Sequence, residues 1–193
     1  LMYHLALTHS QNMNIPLAKY YAKQANGYFQ VHKIFARSIE CQIIIGINEV
    51  REKLYEKAYF TFKKVIASCN NYNLKESLPI AIHNLAFIES QRGNRESAIQ
   101  LFQESIELKS ESDNSYLISL IYLAEEYILC NELNKAKETL KKVLDAREKY
   151  NLSIEHYYSA IILQKELEQS WEELLYILEH EAIPYFEEKG QRL

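Results

Sequence analysis

The stretch that decides the fold is HNLAFIESQRGNRESAIQLF, residues 83–102. Apolar residues recur at spacings of three and four on both sides of Arg92-Gly93-Asn94. That pattern predicts two helices separated by a left-handed glycine turn. Small residues at Ala86 and Ala98 would let the two arms approach closely, and Leu85, Phe102 and Ile106 would fill the space beyond them. One such hairpin leaves an apolar face exposed, so it needs neighbours of the same kind.

The neighbours are present. The anchors Leu85, Ala86, Ala98 and Phe102 recur 38 residues later as Leu123, Ala124, Ala136 and Leu140. They recur 40 residues earlier as Ile45, Gly46, Ala58 and Phe62, and 40 earlier again as Leu5, Ala6, Ala18 and Ala22. Beyond Ala124 the pattern blurs, with Leu163 and Leu175 expected in the two small-residue places. Tyr72-Asn73-Leu74 and Tyr150-Asn151-Leu152 echo each other after second helices. The expected fold is all-α: a right-handed superhelical solenoid of antiparallel helix hairpins, a single array over 1–193 with four clear units and a degenerate fifth. Asn14 before Pro16 and Ser77 before Pro79 are expected to cap helices. Gly93, and Asn131 or Asn134 in the next unit, are expected in left-handed turns.

The composition agrees. Of 193 residues 48% are hydrophobic, with only 4 Gly and 3 Pro, which suits a folded helical chain. The net charge is -4. The basic residues Lys137, Lys141, Lys142, Arg147 and Lys149 are answered by Glu138, Asp145 and Glu148, as on a solvated helix face. No nucleic-acid partner is expected. Cys41, Cys69 and Cys130 are far apart and odd in number, which predicts free thiols and a cytoplasmic setting. No apolar run approaches the length of a membrane span, and no secretory signal is evident. The chain begins and ends inside helical patterns, so a piece of a longer protein is expected.

The spacing of Asn84-Leu85-Ala86, Gly93-Asn94, Ala98, Phe102 and Ser105, and of Tyr122-Leu123-Ala124, Tyr127, Ala136 and Leu140, resembles tetratricopeptide repeats. Those repeats run to about 34 residues, so the longer period predicts longer helices or wider linkers. Glu56-Lys57-Ala58-Tyr59 and the string AIPYFEEKG at 182–190 resemble segments of Gram-positive peptide-pheromone receptors of the Rap, NprR and PlcR types. The resemblance implies a sensor domain that holds a short signalling peptide in a concave groove and regulates a transcription factor or a response-regulator pathway. A general protein-interaction scaffold and an accessory domain of a response-regulator phosphatase are the alternatives.

First helices line the concave face of such arrays. The register places Tyr3, Leu7, Ser10 and Gln11 there in the first unit, and Glu40, Ile43, Ile47, Val50 and Arg51 in the second. Ile80, His83, Phe87, Ser90 and Gln91 follow in the third, then Ile118, Ile121, Glu125, Ile128 and Leu129. The family resemblance implies asparagines that hold a peptide backbone, for which Asn48 and Asn84 are the candidates. Asn84 is equally the consensus residue of the repeat. Arg51 suits a peptide carboxylate or an exposed surface, and His83 beside Phe87 suits a pocket or plain packing. Gln91 lies on the inward face, and Glu125 suits a peptide amine. Glu126 is expected in solvent. The tyrosines, 15 in all, suit either a homodimer contact or ordinary core.

No catalytic residue is assigned. His4 and His9 are five apart, not the four of a helical metal pair, and the acids of Glu179-His180-Glu181 cannot share a helix face. No phosphate-binding glycine loop occurs. No metal and no cofactor are expected.

Overall fold

The computed structural model describes residues 1–111, 113–150 and 152–188, with only the backbone of 147–150. Asn151 of the second Tyr-Asn-Leu string, the end of the AIPYFEEKG string at Lys189 and Gly190, and the side chains of Arg147, Glu148 and Lys149 lie outside the described residues. Within them every regular element is helical, as the repeat pattern requires, and there is no strand. The chain divides into two compact units, Leu1–Lys109 and Ser110–Leu193.

The first unit holds three hairpins: α1 (Met2–Gln11) with α2 (Ile15–Val31), α3 (Phe35–Arg51) with α4 (Tyr55–Tyr72), and α5 (Leu78–Gln91) with α6 (Arg95–Glu107). Each first helix also meets the next first helix, α1 against α3 and α3 against α5. In the second unit α7 (Asn114–Leu129) pairs with α8 (Leu133–Tyr150), and α9 (Ile154–Glu168) packs against both. After α9, α10 (Trp171–Ile177) runs through a π-helical turn, Leu178–Ala182, into α11 (Ile183–Glu188). The added repeat length lies in the helices, since α2, α3 and α4 span 17, 17 and 18 residues.

The turns explain the even spacing. Met13, Lys33, Lys53, Asn73 and Gly93 all have positive φ, one every 20 residues, and Asn131 and Gln169 follow at steps of 38. Each sits just past a helix end. At the central one, Lys53 N–H donates to Val50 O at 2.8 Å and Leu54 N–H to Glu49 O at 2.9 Å. This is the paired-bond ending that satisfies the last carbonyls of a helix. The same ending closes hairpins and joins them, so the chain reverses at every one. Asn131, not Asn134, takes the turn in the fourth hairpin.

At helix starts, Asn14 accepts from Leu17 N–H at 3.4 Å with Pro16 in the first turn. Ser77 differs from expectation. Pro79 is in the first turn of α5, but the Ser77 side chain caps nothing. The residue itself has helical φ and ψ, which carries the Ser77 side chain out of the capping position.

The recurring small residues meet inside the hairpins. Ala6, Ala18, Ala58, Ala86, Ala98, Ala124 and Ala136 are all fully buried. Gly46 is the tightest case, because a Cβ there would lie 2.8 Å from the Phe62 ring. Around that contact Ile39, Ile43, Phe62, Val65, Leu85 and Ile88 form one core linking α3, α4 and α5. The fifth unit departs from its expected register. Leu175 is 55% exposed, whereas its neighbour Leu174 and Ala160 are buried. The buried stripe of α9 lies almost one turn earlier than Leu163, so Ala160 supplies the small contact.

Candidate functional site

First-helix faces carry the expected site residues, and the two units offer different chemistry. In the first unit the C-terminal ends of α1 and α3 are joined by a polar knot. Asn48 is fully buried, and its amide donates to Ser10 Oγ at 2.9 Å and to Ile44 O at 2.7 Å. Arg51 donates to Ser10 O at 2.6 Å and to Ser10 Oγ at 2.9 Å, and its other contact is Asn48 Oδ1 at 3.4 Å. Burial lowers the guanidinium pKa, which leaves it charged at neutral pH because arginine starts so high. A ligand would reach the Asn48 amide only by displacing Ser10.

Ile43, expected in the groove, is a core residue between the second and third hairpins, and Ile47 and Val50 pack on that core. The phase of α3 turns this stripe toward α4 and α5. The accessible stripe of the third hairpin is Ile80, Asn84, Phe87 and Gln91, spaced four, three and four along one face of α5. Ile80 is 41% exposed, Asn84 and Phe87 are half-buried, and Gln91 is exposed. Asn84 donates to Ile80 O at 2.8 Å, and Gln91 Oε1 accepts from Tyr55 at 3.4 Å. His83 lies off this stripe, edge-on to Phe102 with ring centroids 5.4 Å apart, so it packs toward α6.

Sequence reasoning missed a set of buried carboxylates. Glu49 and Glu89 sit three residues after Gly46 and Ala86, and both are nearly inaccessible. Glu49 accepts from Thr61 at 2.7 Å and pairs with Lys57 at 3.2 Å. Glu89 pairs with Arg92 at 3.0 Å and accepts from Asn94 at 2.5 Å. They brace the turn into the second helix. Glu126, two residues after Ala124, is also buried, contrary to the expectation that it faces solvent. The signal for Glu49 and Glu89 was a glutamate recurring three residues after the small residue in two consecutive units.

In the second unit α7 and α9 enclose a cavity of about 340 Å³. Its walls are Ile121, Tyr122 and Glu125 from α7 and His156, Ser159, Ile162, Leu163 and Glu166 from α9. Glu125 is exposed, while Ile121 is buried. Burial, with the Glu125 charge adding to it, raises the Tyr122 pKa and keeps the phenol a donor. Burial lowers the His156 pKa against the opposing pull of Glu155, so the imidazole is neutral at pH 7. Its Nδ1 lies 2.6 Å from Ser153 Oγ.

No cluster that could hold a metal ion occurs among the described residues. Cys41 and Cys69 are buried free thiols, and Cys130 is a half-buried one. Burial pushes the Cys41 pKa up to about 12, which makes it a poor nucleophile. No helix among the described residues is long and apolar enough to cross a membrane.

The sequence profile of the tetratricopeptide repeat matches residues 77–149. The regulatory protein RapD of Bacillus subtilis (strain 168) is 25% identical over 87% of this chain and 49% of its own length. The transcriptional activator NprA of Geobacillus stearothermophilus is 27% identical over 97% of this chain and 48% of its own. The chain thus spans about half the length of these curated relatives. Among solved structures, NprR in complex with its cognate peptide NprX superposes with a TM-score of 0.83, at 24% identity, over 95% of this chain and 54% of that one. Residues 77–149 thus match the tetratricopeptide repeat, and the chain shares its fold with NprR.

Proposed function

We propose that this chain is the peptide-sensing part of a cytoplasmic regulator that controls a transcription factor or a response-regulator pathway. The observation that carries the reading is the cavity between α7 and α9, which joins an apolar wall to a few polar groups on two consecutive first helices. A cavity of that make-up holds a side chain while the neighbouring polar groups orient the backbone. The fold shared with NprR, whose structure holds a cognate peptide, supports the same reading. In the first unit the contact residues are Asn84, Phe87 and Gln91, with Ile80 beside them. His83 acts from behind this stripe by setting the position of α5 against Phe102. Asn48 and Arg51 act by holding α1 to α3.

Calorimetric titration of the chain with short synthetic peptides tests the proposal. Saturable one-to-one binding, weakened by substitution at Asn84 or Glu125, is the expected result. A broad library of secreted-type peptides that gives no heat would refute it, and capture of one stable protein partner would favour the scaffold alternative.

A further inference from the structure

We propose that the outward face of α2 is a docking surface for an acidic amphipathic helix of a partner protein, a contact separate from peptide sensing. The face is built from Tyr20, Gln24, Gly27 and Val31, which fall four, three and four apart and so share one side of the helix. Lys23 and Tyr28 flank them. All six are exposed, with Val31 79% accessible. Continuation of the array does not cover this side. The matching positions of α4, 40 residues on, include Phe60, Lys63 and Lys64. They stay exposed although hairpins flank theirs on both sides.

Two observations select the occupant. The first is Gly27, which stands in the interior of α2, where glycine weakens a helix. A Cβ there would meet nothing within 4 Å, so no contact inside the chain calls for the missing side chain. A second helix crossing the face would use it, because the distance between helix axes is set by the side chains at the crossing. The second observation is charge. No Asp or Glu occurs before Glu40, while Lys19, Lys23, Lys33 and Arg37 do, and the rest of the chain carries all 26 acidic residues. Lys19 is tied to Glu52 and Arg37 to Glu40. Lys23 on the face and Lys33 beyond its end have no acid of their own among the described residues. An apolar stripe with acids beside it complements that pattern. A lipid surface would have no use for Gly27, and anionic membranes are held by larger basic clusters.

Fluorescence anisotropy titrations of the 193-residue chain at low salt test this. The probe is a labelled alanine-rich peptide of about 20 residues, long enough to be helical. It carries leucines at the same four-three-four spacing with glutamates beside them. One counterpart has lysines for the glutamates, and another has the leucines scattered around the helix. The glutamate peptide is expected to bind at least about 10-fold tighter than either counterpart, with affinity falling as salt rises. Lys23→Glu is expected to weaken it about 3–10-fold. Gly27→Leu is expected to weaken it at least about 5-fold while the urea midpoint stays the same or rises, because leucine is the better helix former and the site is open. Equal binding of either counterpart, indifference to Gly27→Leu, or no binding of the glutamate peptide overturns the proposal. Phosphatidylserine-containing vesicles that hold the chain and release the Gly27→Leu variant would assign the face to a membrane, which also overturns it. If Asn84→Ala weakens the glutamate peptide and Gly27→Leu does not, the peptide lies in the groove. The docking surface then falls and the sensing function stands.

Discussion

Gly46→Ala isolates the contact on which the repeat depends. In a helix interior, alanine in place of glycine is worth about 0.5–1 kcal/mol of added stability. Here the added methyl would sit 2.8 Å from Cε2 and from Cζ of Phe62, and 3.3 Å from Cδ2. The ring is fully buried against Val65, Ile43 and Leu85, so it cannot swing aside without moving the core between two hairpins. Overpacking of that kind costs about 1–3 kcal/mol. The steric term is the larger, and the variant should be net destabilised by about 1–2 kcal/mol. Phe62→Leu alone should also destabilise, by removing ring volume from a packed site. In the Phe62→Leu background, however, Gly46→Ala should become neutral or stabilising, because the methyl then enters space the ring has left. The coupling should reach about 1–3 kcal/mol. Urea unfolding followed by far-UV circular dichroism reports it, with emission from Trp171, the sole tryptophan, reading the second unit separately. A wild-type-background Gly46→Ala that unfolds at higher urea would refute the close approach of α3 and α4.

The turns are tested by exchange of residue types. Gly93→Ala, at φ +81, should cost about 1 kcal/mol, while Lys53→Gly, at φ +59, should recover up to about 1 kcal/mol, both read as shifts in the unfolding midpoint. Asn48→Ala should cost about 1–3 kcal/mol of stability, because Ser10 and Ile44 lose a buried donor. Asn84→Ala should leave stability nearly unchanged and weaken peptide binding by about 1–3 kcal/mol if its amide holds a backbone group. His156 gives a pH signature. Its folded pKa lies below the ordinary histidine value, so protonation favours the unfolded chain. The stability it contributes is fully present above about pH 6.5 and is lost as pH falls from there toward the folded value. His156→Gln should flatten that slope, and an unchanged slope would refute the assignment.

The hairpin register was legible because it rests on residues with one physical job. A position that must be small between two helices tolerates only Gly or Ala, and the series Ala6, Gly46, Ala86 and Ala124 is all buried. Left-handed turns were legible only where the residue type advertises them. Gly93 and Asn131 do, but Met13, Lys33 and Lys53 adopt the same conformation with side chains that disfavour it. The paired backbone bonds and the packing on either side impose it there, and no local propensity records that. The fifth hairpin was misread for a related reason. Ala160 stands close to Leu163, and nothing in the spacing alone says which one is fully buried.

The first-helix faces were harder to read, because a helix in an array has three environments rather than two. One flank packs on its own partner helix, one on the next hairpin, and a narrow strip between them stays open. A shift of one residue turns the helix by about 100°, enough to move a side chain from strip to core. Ile43 and Ile80 are both isoleucines placed inward by the same register, yet the first is core and the second is 41% exposed. Polar residues added a second ambiguity. Asn48 and Asn84 both suggest a free amide, but the first meets Ser10 from a neighbouring first helix and is consumed by the joint. Glu125 and Glu126 are adjacent and chemically identical, and only the helix phase separates a cavity wall from a buried side chain. The serine at Ser10 is what distinguishes the two asparagines, and its effect crosses 38 residues of sequence. A site assembled from such pairs becomes readable only once the hairpins are stacked.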